Sequence, residues 1–414
     1  MLKKIIKEGT ILFIGNLLFA LFGIIFRYLA AADLSKEIYG KLALYISAWN
    51  VLIHIGYLDA SEGLSKYVSQ WEGDKKKFFF DIYKIILPFT LFGGIIISLF
   101  ALSVYKNYLY GVYSFIGFFS VCFVYASLGY FRGIFRMAFS SLFYASVNFF
   151  RLLILFVLIG INFLNNSENY FIAYTLATIF PALIVYVFIS SGEYKNTKGK
   201  VDSNKFDKFL FIKYSVFLSL SSLLFNMLNF LPRQILSWLH GYQEVAELDI
   251  AFLFYLVFQM FFINLGNALI PNIASSIKEK RFDILKFLRM CIPFFLGLIL
   301  IPILLYPVNV PFFIFEKLRI EKYYHVIGYF KIMIFALPFH FLYQILASYI
   351  KAEGSTYLLF LVLLFSTFFS FFTGIFMIYK LSLLGGILTY IFSLIACSIG
   401  MMVVSFIVRT NKKE

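Results

Sequence analysis

Charged residues are scarce in this sequence of 414 residues: they make up 14% of it, whereas hydrophobic residues make up 62%. A soluble domain carries about a quarter charged residues and less than half apolar ones. The composition therefore excludes an ordinary soluble domain and predicts an integral membrane protein.

The sequence also lacks the cysteine and histidine spacings that are typical of disulfide frameworks and metal sites. Its three cysteines, Cys122, Cys291 and Cys397, lie singly within apolar runs, and its four histidines are scattered. Without paired-cysteine or zinc-ligand motifs, we expect no disulfide framework, no metal centre and no cofactor. A phosphate-binding loop of the GxxxxGK[ST] type is missing as well, so we expect that the chain does not use ATP directly.

Acidic residues are few, and the sequence places all 21 of them at the ends of predicted spans, in loops or in tails. An exporter that exchanges cationic drugs for protons is expected to hold a carboxylate deep in a helix. The distribution therefore disfavours such an exporter, which stays as an alternative function. Asp59 and Glu62 lie nearest to the membrane, at the inner end of the second predicted span, and are candidates for energy coupling. The coupling ion is left open.

Long apolar runs are abundant. Since one crossing of a bilayer takes about 20 apolar residues, the sequence predicts an all-α fold with about twelve transmembrane helices. The predicted spans are Thr10–Ala32, Ile38–Leu58, Ile82–Val104, Leu109–Tyr130, Ala138–Ile161, Tyr170–Ser190, Phe209–Leu231, Val245–Ile270, Phe287–Val308, Tyr323–Ile350, Tyr357–Ile378 and Leu384–Val408.

The basic residues follow the predicted spans. With the amino terminus in the cytoplasm, most lysines and arginines fall in alternate, inward-facing connections, as the positive-inside rule requires. We therefore attribute the net charge of +15 to membrane orientation rather than to nucleic-acid binding. Both termini are predicted to be cytoplasmic, in the cell membrane. The polar residues 192–208 are predicted to be a cytoplasmic linker between two six-helix lobes, 1–191 and 209–414.

Two segments resemble a known family. RYLAAADLSKEIYGKLALYISAWNVL, from Arg27, holds an arginine near a helix end, a short loop and the pair Tyr39-Gly40. The second half repeats the pattern from Pro232-Arg233 through Gly241 and Glu244. Both patterns are similar to those of polysaccharide biosynthesis proteins, the lipid-linked oligosaccharide flippases of the multidrug/oligosaccharidyl-lipid/polysaccharide exporter superfamily.

The resemblance implies a two-lobed carrier of twelve helices that works by alternating access. It further implies that the cargo is a polyprenyl-pyrophosphate-linked oligosaccharide, moved from the inner to the outer leaflet for the assembly of a cell-surface glycan. Membrane lipids and glycan-assembly enzymes are then candidate partners. In such carriers the site lies between the lobes near the midplane.

Arginines are the candidate binding groups for the pyrophosphate. Arg151 lies in the middle of an apolar run, with Asn148 one turn before it on the same helix face. A guanidinium matches the geometry of phosphate oxygens, but a structural arginine bonded to backbone carbonyls remains the alternative. Arg27 and Arg233 occupy corresponding places near the outer ends of their helices, where they contact the cargo or extend to the interface.

Amides within the spans are the candidate sugar contacts, with hydrogen bonding between helices as the alternative role. They are Asn226, Asn229, Asn264 and Gln259.

A membrane enzyme, such as a glycan polymerase, ligase or glycosyltransferase, is the remaining alternative function. Enzymes of this kind need acid/base or metal-binding residues on a sizeable outer loop. The predicted outer loops are short, so the sequence favours a transporter over an enzyme.

Overall fold

A computed structural model of the chain describes residues 2–71, 73–134, 136–161, 165–191, 208–278, 283–305 and 320–410. These residues form α-helices joined by short turns. The helices are α1 (Leu2–Asp33), α2 (Lys36–Tyr57), α3 (Ala60–Gln70), α4 (Lys75–Tyr105), α5 (Tyr108–Gly133), α6 (Met137–Gly160), α7 (Asn166–Thr175), α8 (Ile179–Ser191), α9 (Lys208–Leu239), α10 (Tyr242–Lys278), α11 (Ile284–Leu305), α12 (Val326–Met333), α13 (Leu337–Glu353) and α14 (Thr356–Thr410).

Nine helical segments of the described chain are long and apolar enough to cross a membrane. The last of them, Thr356–Val408, has 53 residues, more than the two crossings of about 20 residues each that were predicted there. Its backbone leaves the helical region at Ser382, with φ 47° and ψ −123°. The prediction of an all-α, multi-pass membrane protein is thereby confirmed.

Two single-turn 3-10 segments divide long apolar runs into shorter helices. Leu176–Thr178 joins α7 to α8, and Ile334–Ala336 joins α12 to α13. Each pair remains continuous enough to form one candidate span, Asn166–Ser191 and Val326–Glu353.

The chain forms two compact units. The first consists of Met1–Asp33 with Tyr45–Leu223, and the second of Leu34–Leu44 with Leu224–Glu414. Residues 192–207 of the predicted linker lie outside the described residues, and the predicted division into lobes at 192–208 stays a prediction.

Aromatic side chains fill the interior of each unit. In the first unit, Phe79 packs against Tyr130 from α5, with ring centroids 5.2 Å apart, and both side chains are fully buried. In the second unit, the Tyr390 ring of α14 meets Phe252 and Tyr255 of α10 edge-on, at 4.8 and 5.7 Å. Edge-to-face pairs of this kind add stability beyond the burial of their area, and they hold the helices that carry the polar groups described next.

Candidate functional site

Arg151 lies in the middle of α6 and is buried together with Asn148. Its Nη1 donates to Oδ1 of Asn148 at 2.7 Å, and its Nε donates to the backbone oxygen of Tyr174 in α7 at 2.9 Å. Nδ2 of Asn148 in turn donates to the backbone oxygen of Phe19 in α1 at 2.8 Å. The predicted pair is therefore present, and it links α6 to α1 and α7.

Small residues let α1 and α6 come this close. A Cβ atom added to Gly23 would lie 2.7 Å from Nδ2 of Asn148, and one added to Gly15 would lie 1.8 Å from Oγ of Ser141. Ser141 also donates to the backbone oxygen of Ile11 at 2.6 Å. The two glycines lie about two turns apart on one face of α1. That face accepts the polar side chains of α6, in the way that small residues mediate contacts between membrane helices.

An aromatic ring covers the guanidinium of Arg151. Cζ of Arg151 lies 3.8 Å from the ring centroid of Tyr174, within the range of a cation–π interaction. Tyr174 packs against the rings of Tyr45 and Trp49, at centroid distances of 6.1 and 5.6 Å. In the part of the chain that the structure describes, no acidic side chain pairs with Arg151. A buried positive charge without a carboxylate partner favours the approach of an anion.

Arg27 and Arg233 have different surroundings from Arg151. Arg27 is half-buried in α1. Arg233, in α9, is 3% exposed; its Nη2 and Nε donate to Oδ1 of Asp249 at 2.9 and 3.2 Å, and its Nη1 donates to the backbone oxygen of Asn229 at 2.6 Å. The Arg233 guanidinium thus has a carboxylate partner inside the second unit, and the Arg151 guanidinium in the first unit has none among the described residues.

Asp249 is a buried charged residue that was not among the candidate residues taken from the sequence. It is fully buried in α10, and its Oδ2 accepts a hydrogen bond from the Tyr39 hydroxyl at 2.7 Å while Oδ1 pairs with Arg233. Gly40 makes this approach feasible, because a Cβ atom there would lie 1.8 Å from the backbone oxygen of Tyr242. The Tyr39-Gly40 pair of the family resemblance therefore fastens the start of α2 to α10.

The expectation that every carboxylate lies at a helix end or in a loop is wrong for Asp249. This residue lies about 10 Å along the axis of α10 from its first residue, at about 1.5 Å per residue. The signal in the sequence was an aspartate inside the apolar run LDIAFLF, sixteen residues after Arg233. The absence of a buried carboxylate can therefore no longer be used against a drug exporter.

The amide candidates lie on α9 and α10 of the second unit. Asn226 is half-buried, Gln259 is 4% exposed, and the Asn264 side chain lies outside the described residues. Oδ1 of Asn229 and Oε1 of Gln259 are buried without a hydrogen-bond partner among the described residues. Buried amide oxygens nearly always have a donor, so these two atoms have unused capacity to accept hydrogen bonds.

Asp59 and Glu62 lie at the corner between α2 and α3. Oδ1 of the buried Asp59 side chain lies 2.7 Å from Nδ1 of His54, whereas Glu62 is exposed in the first turn of α3. Burial raises the pKa of Asp59, but the charge of His54 and the hydrogen bonds from His54, Ser222 and Tyr57 outweigh it, so the pKa lies below its ordinary value. Asp59 is therefore an ionised carboxylate next to an imidazole.

Comparison with known proteins gives a family match over part of the chain. Residues 218–379 match the family model MatE. No curated protein matches the chain.

Solved transporter structures match almost the whole chain. A multidrug resistance MATE family transporter of the MOP superfamily, in its outward-facing conformation, is 11% identical with a TM-score of 0.64 and covers 100% of this chain and 96% of its own. The eukaryotic MATE transporter AtDTX14 is 12% identical with a TM-score of 0.67, over 99% and 95%. A MOP superfamily transporter from Pyrococcus furiosus, described as having a binding pocket of reversed polarity that suggests a different function, is 12% identical with a TM-score of 0.65, over 99% and 95%. The chain has the fold of these transporters.

Proposed function

We propose that this chain is a membrane transporter that works by alternating access, in the cell membrane and with both termini on the cytoplasmic side. The observation that carries the proposal is the match to transporter folds over 95–100% of the chain, together with the match of residues 218–379 to the MatE family model. Neither the fold nor the polar residues described above suggest an enzyme.

For the cargo, the buried cation of the first unit favours an anionic amphiphile. Arg151 presents a guanidinium whose partners are a side-chain amide, a backbone carbonyl and an aromatic ring. A phosphate or pyrophosphate brings the negative charge that these neutral partners lack, and an arginine binds it through two parallel hydrogen bonds. We therefore keep the polyprenyl-pyrophosphate-linked oligosaccharide as the proposed cargo, moved from the inner to the outer leaflet.

In this mechanism Arg151 binds the charged head group, and Asn148 holds the guanidinium in place through its bond at 2.7 Å. In the second unit, considered by itself, the oxygens of Asn229 and Gln259 that have no hydrogen-bond partner among the described residues remain candidates to accept hydrogen bonds. The prenyl tail would stay in lipid. We assign Arg233 a structural part, because its buried charge is balanced by Asp249.

Multidrug export is the second candidate, and two observations favour it. Several solved structures that share the fold are described as MATE transporters, and two of them, in outward-facing and inward-facing conformations, are described as multidrug resistance transporters. In addition, the chain does hold a buried carboxylate, Asp249, of the kind that attracts a cation within a membrane. Its existing bonds to Arg233 and Tyr39 argue that it serves the protein's own structure first.

Transport by the purified protein in proteoliposomes distinguishes the two. One probe is a polyprenyl-pyrophosphate disaccharide, scored by its accessibility to an external glycosidase, and the other is the cationic dye ethidium. We expect flux of the anionic lipid above that of protein-free vesicles, and none of the dye. Flux of the dye alone would replace the proposed cargo by cationic drugs, and flux of neither probe, with several glycan lipids tried, would count against transport.

A further inference from the structure

A furrow runs between α4 and α8 on the surface of the first unit. At one end of it, Nζ of Lys76 in α4 donates to the backbone oxygen of Ser190 in α8 at 2.5 Å. One turn further along each helix, the rings of Phe80 and Tyr186 lie 6.3 Å apart. Residues four positions apart lie on the same side of a helix, so these two contacts follow each other along one line. The two helices therefore lie side by side and antiparallel.

Aromatic side chains form the floor and the walls of the furrow. Phe123 of α5, at the floor, is 8% exposed, and the rings of Tyr83 and Tyr186 approach it to 5.1 and 6.4 Å. Tyr186 is 52% exposed, whereas Phe80 and Tyr83 are half-buried. Ala182, four positions before Tyr186, continues the α8 side with a small residue. The furrow is thus an apolar surface along which an acyl chain can lie.

Three consecutive lysines lie at the mouth of the furrow. Lys75 and Lys76 are half-buried and Lys77 is exposed. Among the residues that the structure describes, neither Lys75 nor Lys77 has an ion pair. The ammonium group of Lys76 has three N–H donors, and its contact with Ser190 uses one of them. The mouth therefore carries positive charge that is available to an anion.

The carboxylates next to the lysines bind other groups. Oδ1 of Asp74 accepts hydrogen bonds from the backbone nitrogens of the second and third lysines, at 2.9 and 3.1 Å. Oδ1 of Asp81 lies 3.3 Å from Nζ of Lys84. Residues 74–84 contain four lysines and two aspartates, which leaves two positive charges.

Trp71 indicates where the mouth lies in the membrane. Its ring stacks on that of Phe78, with centroids 4.5 Å apart, and it is half-buried. Tryptophan is enriched at the interface between membrane and water, and the candidate span of α4 begins at Lys75. The lysines are therefore at the level of the lipid head groups, on the side that the distribution of basic residues predicts to be cytoplasmic.

We propose that the furrow between α4 and α8 binds an anionic phospholipid of the cytoplasmic leaflet. Lys76 and Lys77 bind the phosphate of the head group, with Lys75 beside them, and one acyl chain lies along Phe80 and Tyr186. Lysines next to a membrane-spanning helix attract anionic lipids, and the aromatic furrow supplies the surface for a chain that a free anion lacks. All of these residues belong to the first unit, and the proposal is independent of the proposed cargo.

Native mass spectrometry of the full-length protein tests the proposal. The protein in detergent micelles is titrated with phosphatidylglycerol and, separately, with phosphatidylcholine of the same acyl chains, and the bound lipids are counted. We expect the wild type to bind phosphatidylglycerol about fivefold more tightly or better. Glycerol phosphate, which carries the anionic group without the acyl chains, is expected not to displace the bound lipid at equal concentration.

Lys75→Gln combined with Lys77→Gln is the main variant. It removes two positive charges and keeps the contact of the remaining lysine with α8, so the helices stay packed. We expect this variant to bind the two lipids about equally. Lys106→Gln combined with Lys380→Gln is the matched control, because both of these lysines are exposed, lie away from the furrow and change the net charge by the same amount. The control is expected to keep the wild-type preference.

Photocrosslinking in nanodiscs locates the acyl chain. The probes are phosphatidylglycerol and phosphatidylcholine that carry a diazirine in one acyl chain. We expect the anionic probe to label residues 80–87 and 179–191 about fivefold more than the zwitterionic probe does. Equal labelling of these two segments by both probes would contradict the proposed position.

Three further outcomes would overturn the proposal. They are equal binding of the two lipids by the wild type, a preference that persists without Lys75 and Lys77, and a preference that is lost equally in the control. Displacement of the lipid by glycerol phosphate would make the mouth a site for soluble anions instead. Since no cargo is present in these experiments, their failure leaves the proposed transport untouched.

Discussion

The guanidinium of Arg151 and the amide of Asn148 meet at 2.7 Å, one helical turn apart, on the face of α6 that packs against α1. This contact fixes the direction of the one arginine that the described chain buries without a carboxylate partner. The amide has both of its ends in use, because Nδ2 donates to Phe19 while Oδ1 accepts from Arg151. Its orientation, and with it that of the guanidinium, depends on the close approach of α1.

Gly23→Ala should therefore change the orientation of the Arg151 guanidinium indirectly, by displacing Asn148. The added Cβ would lie 2.7 Å from Nδ2 of Asn148, and we expect a loss of about 1–3 kcal/mol from overpacking. Thermal unfolding of the purified protein measures the loss. Gly160→Ala is the matched control, since Gly160 lies in α6 with no atom within 4 Å of the added Cβ. Equal unfolding temperatures for the two variants would contradict the α1–α6 packing described here.

Asp249→Asn should be among the most destabilising single substitutions in the second unit. It removes the negative partner of the buried Arg233, and breaking a buried pair from one side costs about 3–5 kcal/mol. Tyr39→Phe removes only the hydroxyl that donates to Asp249, so we expect a loss of about 1 kcal/mol.

The test of this ion pair is a double-mutant cycle with Arg233→Gln. If the two charges stabilise each other, Asp249→Asn combined with Arg233→Gln should lose less stability than the sum of the two single losses. Additive losses would show that Arg233 and Asp249 act independently and would reopen Arg233 as a cargo contact.

Ser382→Gly should stabilise the protein. Ser382 has φ 47° and ψ −123° within α14, and its Oγ is buried without a partner among the described residues. Glycine adopts this backbone conformation readily, so we expect a gain of about 1 kcal/mol from relief of strain and removal of the hydroxyl. Ser382→Ala is the comparison, because it removes the hydroxyl but keeps a Cβ atom. If alanine raises the unfolding temperature as much as glycine, the backbone is not strained at this position.

The sequence alone was enough to predict the helical, multi-pass fold, because the thickness of the bilayer fixes the length of the apolar runs that cross it. It also placed Asn148 and Arg151 on one face, because that relation depends only on helical geometry. The break at Ser382 falls between the two spans predicted for α14, where Lys380 and Ser382 interrupt the apolar run.

The tertiary partners were beyond prediction from one sequence. The pairing of Asp249 with Arg233 and Tyr39 joins residues that are 16 and 210 positions apart. The helix α3 and the left-handed corner at Asp59 also escaped, because a short polar helix leaves no apolar run to detect. In both cases the structure depends on contacts between helices, which cannot be predicted from the residue pattern along one helix.

The flux of the anionic probe through Arg151 variants tests the central claim most directly. In proteoliposomes holding equal amounts of folded protein, we expect flux of the polyprenyl-pyrophosphate disaccharide to fall about tenfold or more in Arg151→Gln, a loss of about 1.4 kcal/mol or more. Arg151→Lys keeps the charge but not the two directional hydrogen bonds, so its flux should lie between those of the wild type and Arg151→Gln. Arg136→Gln is the control, as Arg136 is an exposed arginine at the start of the same helix. Wild-type flux in folded Arg151→Gln would contradict the account and leave Arg151 with a structural role alone.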